Sequence, residues 1–353
     1  MAENTAIEWC DASLSPWWGC TKVSPACAHC YAEAIDARFA GGGHWGKGAP
    51  RLPKPNFERD AMRLDRKAAK LGRKLTVFPS MCDPFDEEVS IEMFADFLSV
   101  IHRTKNLVWL LLTKRPESWR ARVCAAGDWM LTHGKIAEYS AFINPWVHVV
   151  PTPPANIWIG ATVEDQQRAE ERIPHLLSIP AKVRFLSCEP LLEAVDLLLY
   201  GEHSSWTCPD CGSKNVRADN HDPDEGKWWQ CHDCNASEYG EAEWKSDIHW
   251  VICGGESGPN ARPMHPDWAR SLRDQCAAAG VPYFFKQWGE WMPLDQVIYR
   301  LGEEWSETGS AMIDRGIFVH DWPDNTKSGR FGKKIAGRLL DGREHNAFPE
   351  IYP

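Results

Sequence analysis

Three cysteines, Cys20, Cys27 and Cys30, lie within the stretch GCTKVSPACAHCYAEA at residues 19–34, separated by six residues and then by two. Thiolates are soft metal ligands, and their number limits what they can hold. Three neither pair off as disulfides nor close a four-thiolate zinc site. A catalytic zinc takes three protein ligands and a water, and His29, between two of the cysteines, is an available further donor. The CAHC pair also fits a redox dithiol, although Cys20 then has no role. A four-iron cluster on three thiolates uses every cysteine and leaves one iron open to an exchangeable ligand. S-adenosylmethionine is such a ligand: its amino and carboxylate groups chelate the open iron, and one electron from the reduced cluster releases a deoxyadenosyl radical.

A second cysteine group contrasts with the first. Cys208, Cys211, Cys231 and Cys234 form two C-x-x-C pairs separated by 19 residues. Four thiolates in that pattern complete a closed, structural zinc site, so a zinc ribbon with one Zn2+ is expected over 201–247. Asp and Glu outnumber Lys and Arg in this insert, which makes it a poor phosphate clamp and favours a scaffold, lid or protein contact. Trp228 and Trp229 remain able to stack on a base.

The elements that must position these groups are legible as apolar runs. AIEW (6–9), LTVFPS (75–80), LVWLLLT (107–113), NIWIGAT (156–162), VRFLS (183–187) and HWVICGG (249–255) read as strands, with PYFFKQW (282–288) as a possible seventh. They show little polar alternation, as expected of parallel strands covered on both faces. Helical patterns at 90–104 and 265–280 separate them, the second ending in glycine. Strand–helix repetition implies an α/β barrel or a doubly wound sheet. The six runs after AIEW end in chemically able residues (SMCD, TKR, TVED, SCEP, GGES and KQWGE), and in barrels that end builds the active site.

The composition of the 353 residues sets outer bounds. Hydrophobic residues are 43% of the chain, enough for a sizeable core. Thirteen cysteines with no export-type N-terminus argue for metal sites or free thiols and for a cytoplasmic protein. No apolar stretch is long enough for a membrane span. The net charge of −10 disfavours a protein whose main task is coating nucleic acid. Residues 51–74 nevertheless hold nine Lys/Arg against three Asp/Glu on an expected helix. That helix is either a solvated face or a phosphate-facing one.

Three clustered cysteines after the first strand of a partial α/β barrel resemble the radical S-adenosylmethionine superfamily, whose commonest spacing is three residues and then two. Over almost the whole chain outside the zinc insert, the sequence is similar to a phage-associated family of uncharacterised proteins. Shared stretches include IEWCDASLSPWWGCTKVSPACAHCYAE, SMCDPF, LLTKRPE, GATVED, FLSCEPLL, VICGGESGPNARPM and FKQWGEW. The resemblance implies a partial (βα)6 TIM-like barrel of the radical SAM type, with residues 1–200 its first part, 201–247 the zinc ribbon, and 248–353 the last strands and a C-terminal extension. It implies a [4Fe–4S] cluster on Cys20, Cys27 and Cys30, S-adenosylmethionine as cofactor, and an electron donor such as flavodoxin or ferredoxin.

By strand position, the resemblance puts Ser80 and Asp83 near the methionyl amino group and Lys114 and Arg115 near its carboxylate. Thr162 and Glu164 fall near the ribose, and His29 and Tyr31 near the adenine. Ser187, Glu189 and Glu256 then face the substrate. The expected substrate is a nucleobase of phage DNA or its substituent, as in thymidine hypermodification. A DNA lesion, a free nucleotide or small metabolite, and a non-enzymatic zinc-stabilised nucleic-acid-binding module are the alternatives.

Overall fold

The computed structural model describes residues 5, 7–197, 216–219, 227–231, 237–240, 246–301 and 316–350. Its centre is one sheet of seven strands: β1 (Ala12–Ser13), β2 (Leu75–Phe78), β3 (Leu107–Thr113), β4 (Ile157–Thr162), β5 (Val183–Cys188), β6 (Trp250–Gly254) and β7 (Tyr283–Gln287). Each strand pairs in parallel with the next in sequence, and the order never reverses. A doubly wound sheet requires such a reversal, so the expectation left open resolves to a half-barrel, and the possible seventh strand belongs to it.

The curl of the sheet can be read from one side chain. Trp9 packs on Phe78 of β2, Phe185 of β5 and Trp250 of β6, with ring centroids 4.6, 6.4 and 6.2 Å apart. In a flat sheet β2 and β6 would stand about 19 Å apart. Trp9 therefore plugs a concave interior, with Val108, Leu110, Trp158, Ile252 and Phe284 around it. This explains why AIEW is not the first strand. Residues Glu8 and Trp9 form a turn that delivers the indole to the interior, and β1 starts later at Ala12. Asp11 fixes that start by accepting from the backbone N–H and the hydroxyl of Thr76, at 2.8 and 2.9 Å.

Helix α1 (Tyr31–Phe39) follows Cys30, and the convex face carries α2 (Phe57–Leu71), α3 (Ile91–Arg103), α4 (Trp119–Thr132), α5 (Gln166–Ser178) and α6 (Pro266–Ala279). Their ends are chemically marked. The Ser90 hydroxyl caps α3, the Asp165 carboxylate caps α5, and Gly280 ends α6 at φ 64°. Strand residues of opposite parity, such as Leu107, Trp109 and Leu111, pack under these helices. The strand-ending cysteines Cys188 and Cys253 belong to this helix-side layer, with Cys276 of α6, and so point away from the interior. No helix among the described residues is long and apolar enough to cross a membrane.

Between β5 and β6, an antiparallel three-stranded sheet joins Val216–Asp219, Lys227–Cys231 and Ser237–Gly240. The expected zinc ligands Cys208, Cys211 and Cys234 lie outside the described residues, as does the Cys231 side chain. After β7, a second small sheet pairs Trp291–Pro293 and Val319–Asp321 with Lys327–Arg330. The chain end then returns along β7, with Phe285 N–H donating to His345 and Ala347 N–H to Tyr283. Phe348 covers Trp250 at 4.8 Å, so the last segment packs across the barrel.

Asp341 staples this extension to α6 by accepting from Arg270 and Arg273, and it bonds Gln296 as well. Hydrogen bonds from Arg270, outweighing burial and joined by Arg273, lower its pKa to about 2. The folded value lies below the unfolded one of about 3.9. The stabilisation is therefore complete above that value and is lost as pH falls through about 2. Asp341→Asn is expected to cost about 1 kcal/mol at pH 7 after solvent screening. Denaturant titrations of the two proteins at pH 7 and pH 2 should show that difference closing in acid.

Candidate functional site

The cysteine loop, residues 19–31, runs across the carboxyl ends of the barrel strands and is fastened to them at each step. Gly19 starts it. Its N–H donates to Met81 O at 3.1 Å, and its φ of 119° is one that glycine tolerates. A Cβ there would lie 2.3 Å from the His44 carbonyl oxygen, so Cys20 follows a position where a side chain does not fit.

The first fastening is a buried charge network beside Cys20. Arg115, just past β3, donates to the Thr21 carbonyl, approaches the Cys20 sulfur at 3.8 Å, and pairs with Asp83 at 2.9 Å. The Asp83 carboxylate also accepts from Thr113 Oγ1, Phe85 N–H and Lys114 N–H. Arg51 bridges Asp86 and the Thr21 hydroxyl at 2.7 and 2.6 Å. These ions are almost completely buried and mutually paired, the condition under which buried charge is tolerated. Burial, with Asp83 adding and Arg115 opposing, pushes the Cys20 thiol up to about 12. A metal captured there must displace its proton.

The second fastening is at Ala26, whose N–H points at Glu164 Oε1 at 3.4 Å. Glu164 is fully buried and held by Arg172 of α5 at 2.8 Å, while Arg172 also reaches the Thr162 carbonyl. The third is Glu256, just past β6. Its carboxylate takes the backbone N–H, Nε and Nη2 of Arg262 and the Nδ1 of His29 at 3.1 Å, and Arg262 reaches on to the Pro25 carbonyl. Burial alone would raise the Glu256 pKa; the Arg262 and His29 bonds outweigh it and hold it below the ordinary glutamate value. Two glycines place this residue. Gly255 lies against the Trp288 carbonyl and Gly289, at φ 81°, lies against the Glu256 carbonyl, where Cβ atoms would sit at 2.0 and 2.1 Å. The last fastening is Tyr31, whose hydroxyl donates to Ser80 O at 2.9 Å, while the Ser80 hydroxyl bonds that of Ser13.

Within the loop, Pro25–Cys27 makes one 3-10 turn and Cys30 is the N-cap of α1. The three cysteines form no disulfide. Among the described residues, the only three His, Cys, Asp or Glu donor atoms all within 4.8 Å of one another belong to His265, Asp267 and Asp324. In that group His265 is buried and both of its nitrogens are engaged, by Asp267 N–H and by the exposed Asp324.

Ser80, Asp83, Arg115, Glu164, Glu256, His29 and Tyr31 thus converge on the loop. The remaining expected site residues face the concave interior. Lys114 donates to Thr162 Oγ1 at 3.3 Å, Ser187 is buried, and Glu189 pairs with Lys286 at 2.5 Å. Val23, the basic residues Lys114, Arg115 and Arg172, His175 and three glutamates line a polar cleft of about 410 Å3.

Residues 4–349 match a family described as a protein of unknown function, DUF5131. The chain belongs to the DUF5131 family. No curated protein and no solved structure matches it.

Four residues of this DUF5131 site were not singled out from sequence, Arg51, Asp86, Arg172 and Arg262, and Lys286 stood only as the first residue of the KQWGE strand ending. Lys286 had an available signal. It stands two residues beyond Phe284 on β7, and strand periodicity puts both on the same face. The others sit in helices and loops whose charges read as ordinary surface.

Proposed function

We propose that this chain is a radical S-adenosylmethionine enzyme that remodels a nucleobase, or a substituent on one, in phage DNA. The observation that carries the reading is the loop of three disulfide-free cysteines, fastened by buried charges over the open ends of a half-barrel. The donor set suits a cluster better than a single ion. Tetrahedral zinc needs its sulfur donors about 3.8 Å apart, and no three of Cys20, Cys27, His29 and Cys30 lie within 4.8 Å of one another. A four-iron cluster spreads three thiolates over three irons. Bound there, it would supply the electron that cleaves S-adenosylmethionine to the deoxyadenosyl radical.

The chain's own contribution is position and dryness. Arg115 directs an N–H toward the Cys20 sulfur at 3.8 Å, a donor that suits a thiolate-bound, electron-rich centre. His29, oriented through Nδ1 by Glu256, keeps Nε2 available on the loop. Phe185 and Trp158 floor the interior and keep water from a radical. Lys114, Thr162, Ser187 and Glu189 supply the polar wall above them.

For the substrate, α2 buries Phe57, Ala61, Leu64 and Ala68 and turns Arg59, Arg63, Arg66, Lys67 and Lys70 outward. That basic stripe is able to follow a phosphate backbone. The net charge of −10 favours a free nucleotide as the second reading. The ribbon's structural zinc and a flavodoxin or ferredoxin as electron donor belong to the same proposal.

The test is to incubate anaerobically reconstituted, reduced protein with S-adenosylmethionine and deuterium-labelled phage DNA and follow the nucleosides by mass. A changed nucleoside, with deuterium moving from substrate into deoxyadenosine, is the expected result. No change across DNAs from several base-modifying phages would reject the DNA substrate.

A further inference from the structure

The interior holds one ion pair that fastens nothing. Glu189, just past β5, and Lys286, on β7, meet at 2.5 Å with side chains 16% and 13% exposed. Between their strands runs β6, and at its end stands Gly254. A Cβ there would lie 3.4 Å from Glu189 Cδ and 3.5 Å from Lys286 Cβ, so the missing side chain leaves the pair approachable. Strand alternation from Phe185 through Ser187, and from Phe284, turns both charges inward above the aromatic floor.

This pair differs from the others at the strand ends. Arg115, Arg172 and Arg262 reach the backbone of the loop or of a strand end as well as their carboxylates, and Arg51 reaches the Thr21 hydroxyl of the loop and the Ala49 carbonyl. Among the described residues, Glu189 and Lys286 hydrogen-bond through their side chains only to each other. A carboxylate has room for several donors, and an ammonium has three protons to give. A half-buried ion pair is also a weak source of stability, so its presence calls for another reason.

We propose that Glu189 and Lys286 bind an α-amino-acid head group, Glu189 taking the ammonium and Lys286 the carboxylate. Such a zwitterion inserts between the two charges, exchanges one ion pair for two and leaves the site neutral, so no charge is buried unpaired. Two molecules carry such a head group under the proposed function, on which the inference rests: a base bearing an amino-acid substituent, and S-adenosylmethionine before its amino group loses its proton to chelate the iron.

Equilibrium dialysis on the reconstituted full chain separates them. The probes are S-adenosylmethionine against 5′-methylthioadenosine, which lacks the head group, and glycine against methylamine, which lacks the carboxylate. The variants are Lys286→Met, Glu189→Gln and the double variant, which leaves no charge unpaired and so guards against misfolding. If the pair reads the cofactor, S-adenosylmethionine binding weakens at least tenfold while methylthioadenosine binding holds. If it reads the substrate, the preference for glycine over methylamine is lost while S-adenosylmethionine binding holds. Unchanged preferences in the folded double variant overturn the proposal. Iron content, assayed on the same samples, reports separately on the radical-enzyme reading: wild-type protein without iron defeats that reading and leaves the glycine comparison standing.

Discussion

Arg115→Met will release the start of the cysteine loop and lower global stability by about 3 kcal/mol. The side chain is 7% exposed and serves Asp83, the Thr21 carbonyl and the Cys20 sulfur together. Methionine fills the volume but strands a carbonyl and part of two buried carboxylates. Removing one partner of a buried ion pair costs about 3–5 kcal/mol. The low end applies because Asp83 keeps three other donors and Asp86 keeps Arg51. Chemical denaturation measures the global loss, and hydrogen exchange at the amides of residues 20–22 measures the local one. If those amides exchange as in wild type, Arg115 does not hold the loop.

Glu256→Gln acts on the other side of the loop. Four donors converge on this carboxylate, and an amide offers one oxygen and presents its own N–H groups to Arg262. Hydrogen bonds to a charged group contribute about 1.5–3 kcal/mol. Arg262 is 32% exposed, so water recovers part of the loss, and about 2 kcal/mol is expected. The effect should stay local, seen as faster exchange over residues 25–30, because Glu256 lies beyond β6 and not in the core.

Acid should mimic the substitution. The Glu256 pKa is lowered by folding, so the fastening is complete above the unfolded glutamate value and is lost as pH falls through the folded one. Loop exchange in wild-type protein should accelerate in acid, and Glu256→Gln should remove that acceleration. An acid response that persists in the variant would assign it to another group.

The chemistry-bearing residues were more legible in the sequence than the contacts they make. Six of the seven strands stand out because parallel strands buried on both faces need continuous apolar runs, such as LVWLLLT at β3. Only β1 is hidden. Ala12–Ser13 is two small residues with no strand signature, and its neighbour Trp9 has an apolar environment because it plugs the barrel. Strand-end residues pointed correctly to one shared end. What those strings did not contain is which carboxylate faces which loop atom. Asp83 and Glu164 read alike as polar endings, yet one meets Arg115 and the other meets Ala26 N–H and Arg172, partners distant in sequence. Such pairings arise from the curl of the sheet, which no local pattern encodes.

The fastened loop gives the three cysteines their place, and iron content is the direct test of the proposed cluster. Wild-type protein reconstituted anaerobically with iron and sulfide should carry about four irons at this site and cleave S-adenosylmethionine once reduced. Cys20→Ala should lose both the cluster and the cleavage. Iron content and cleavage unchanged by Cys20→Ala would contradict the account at its centre.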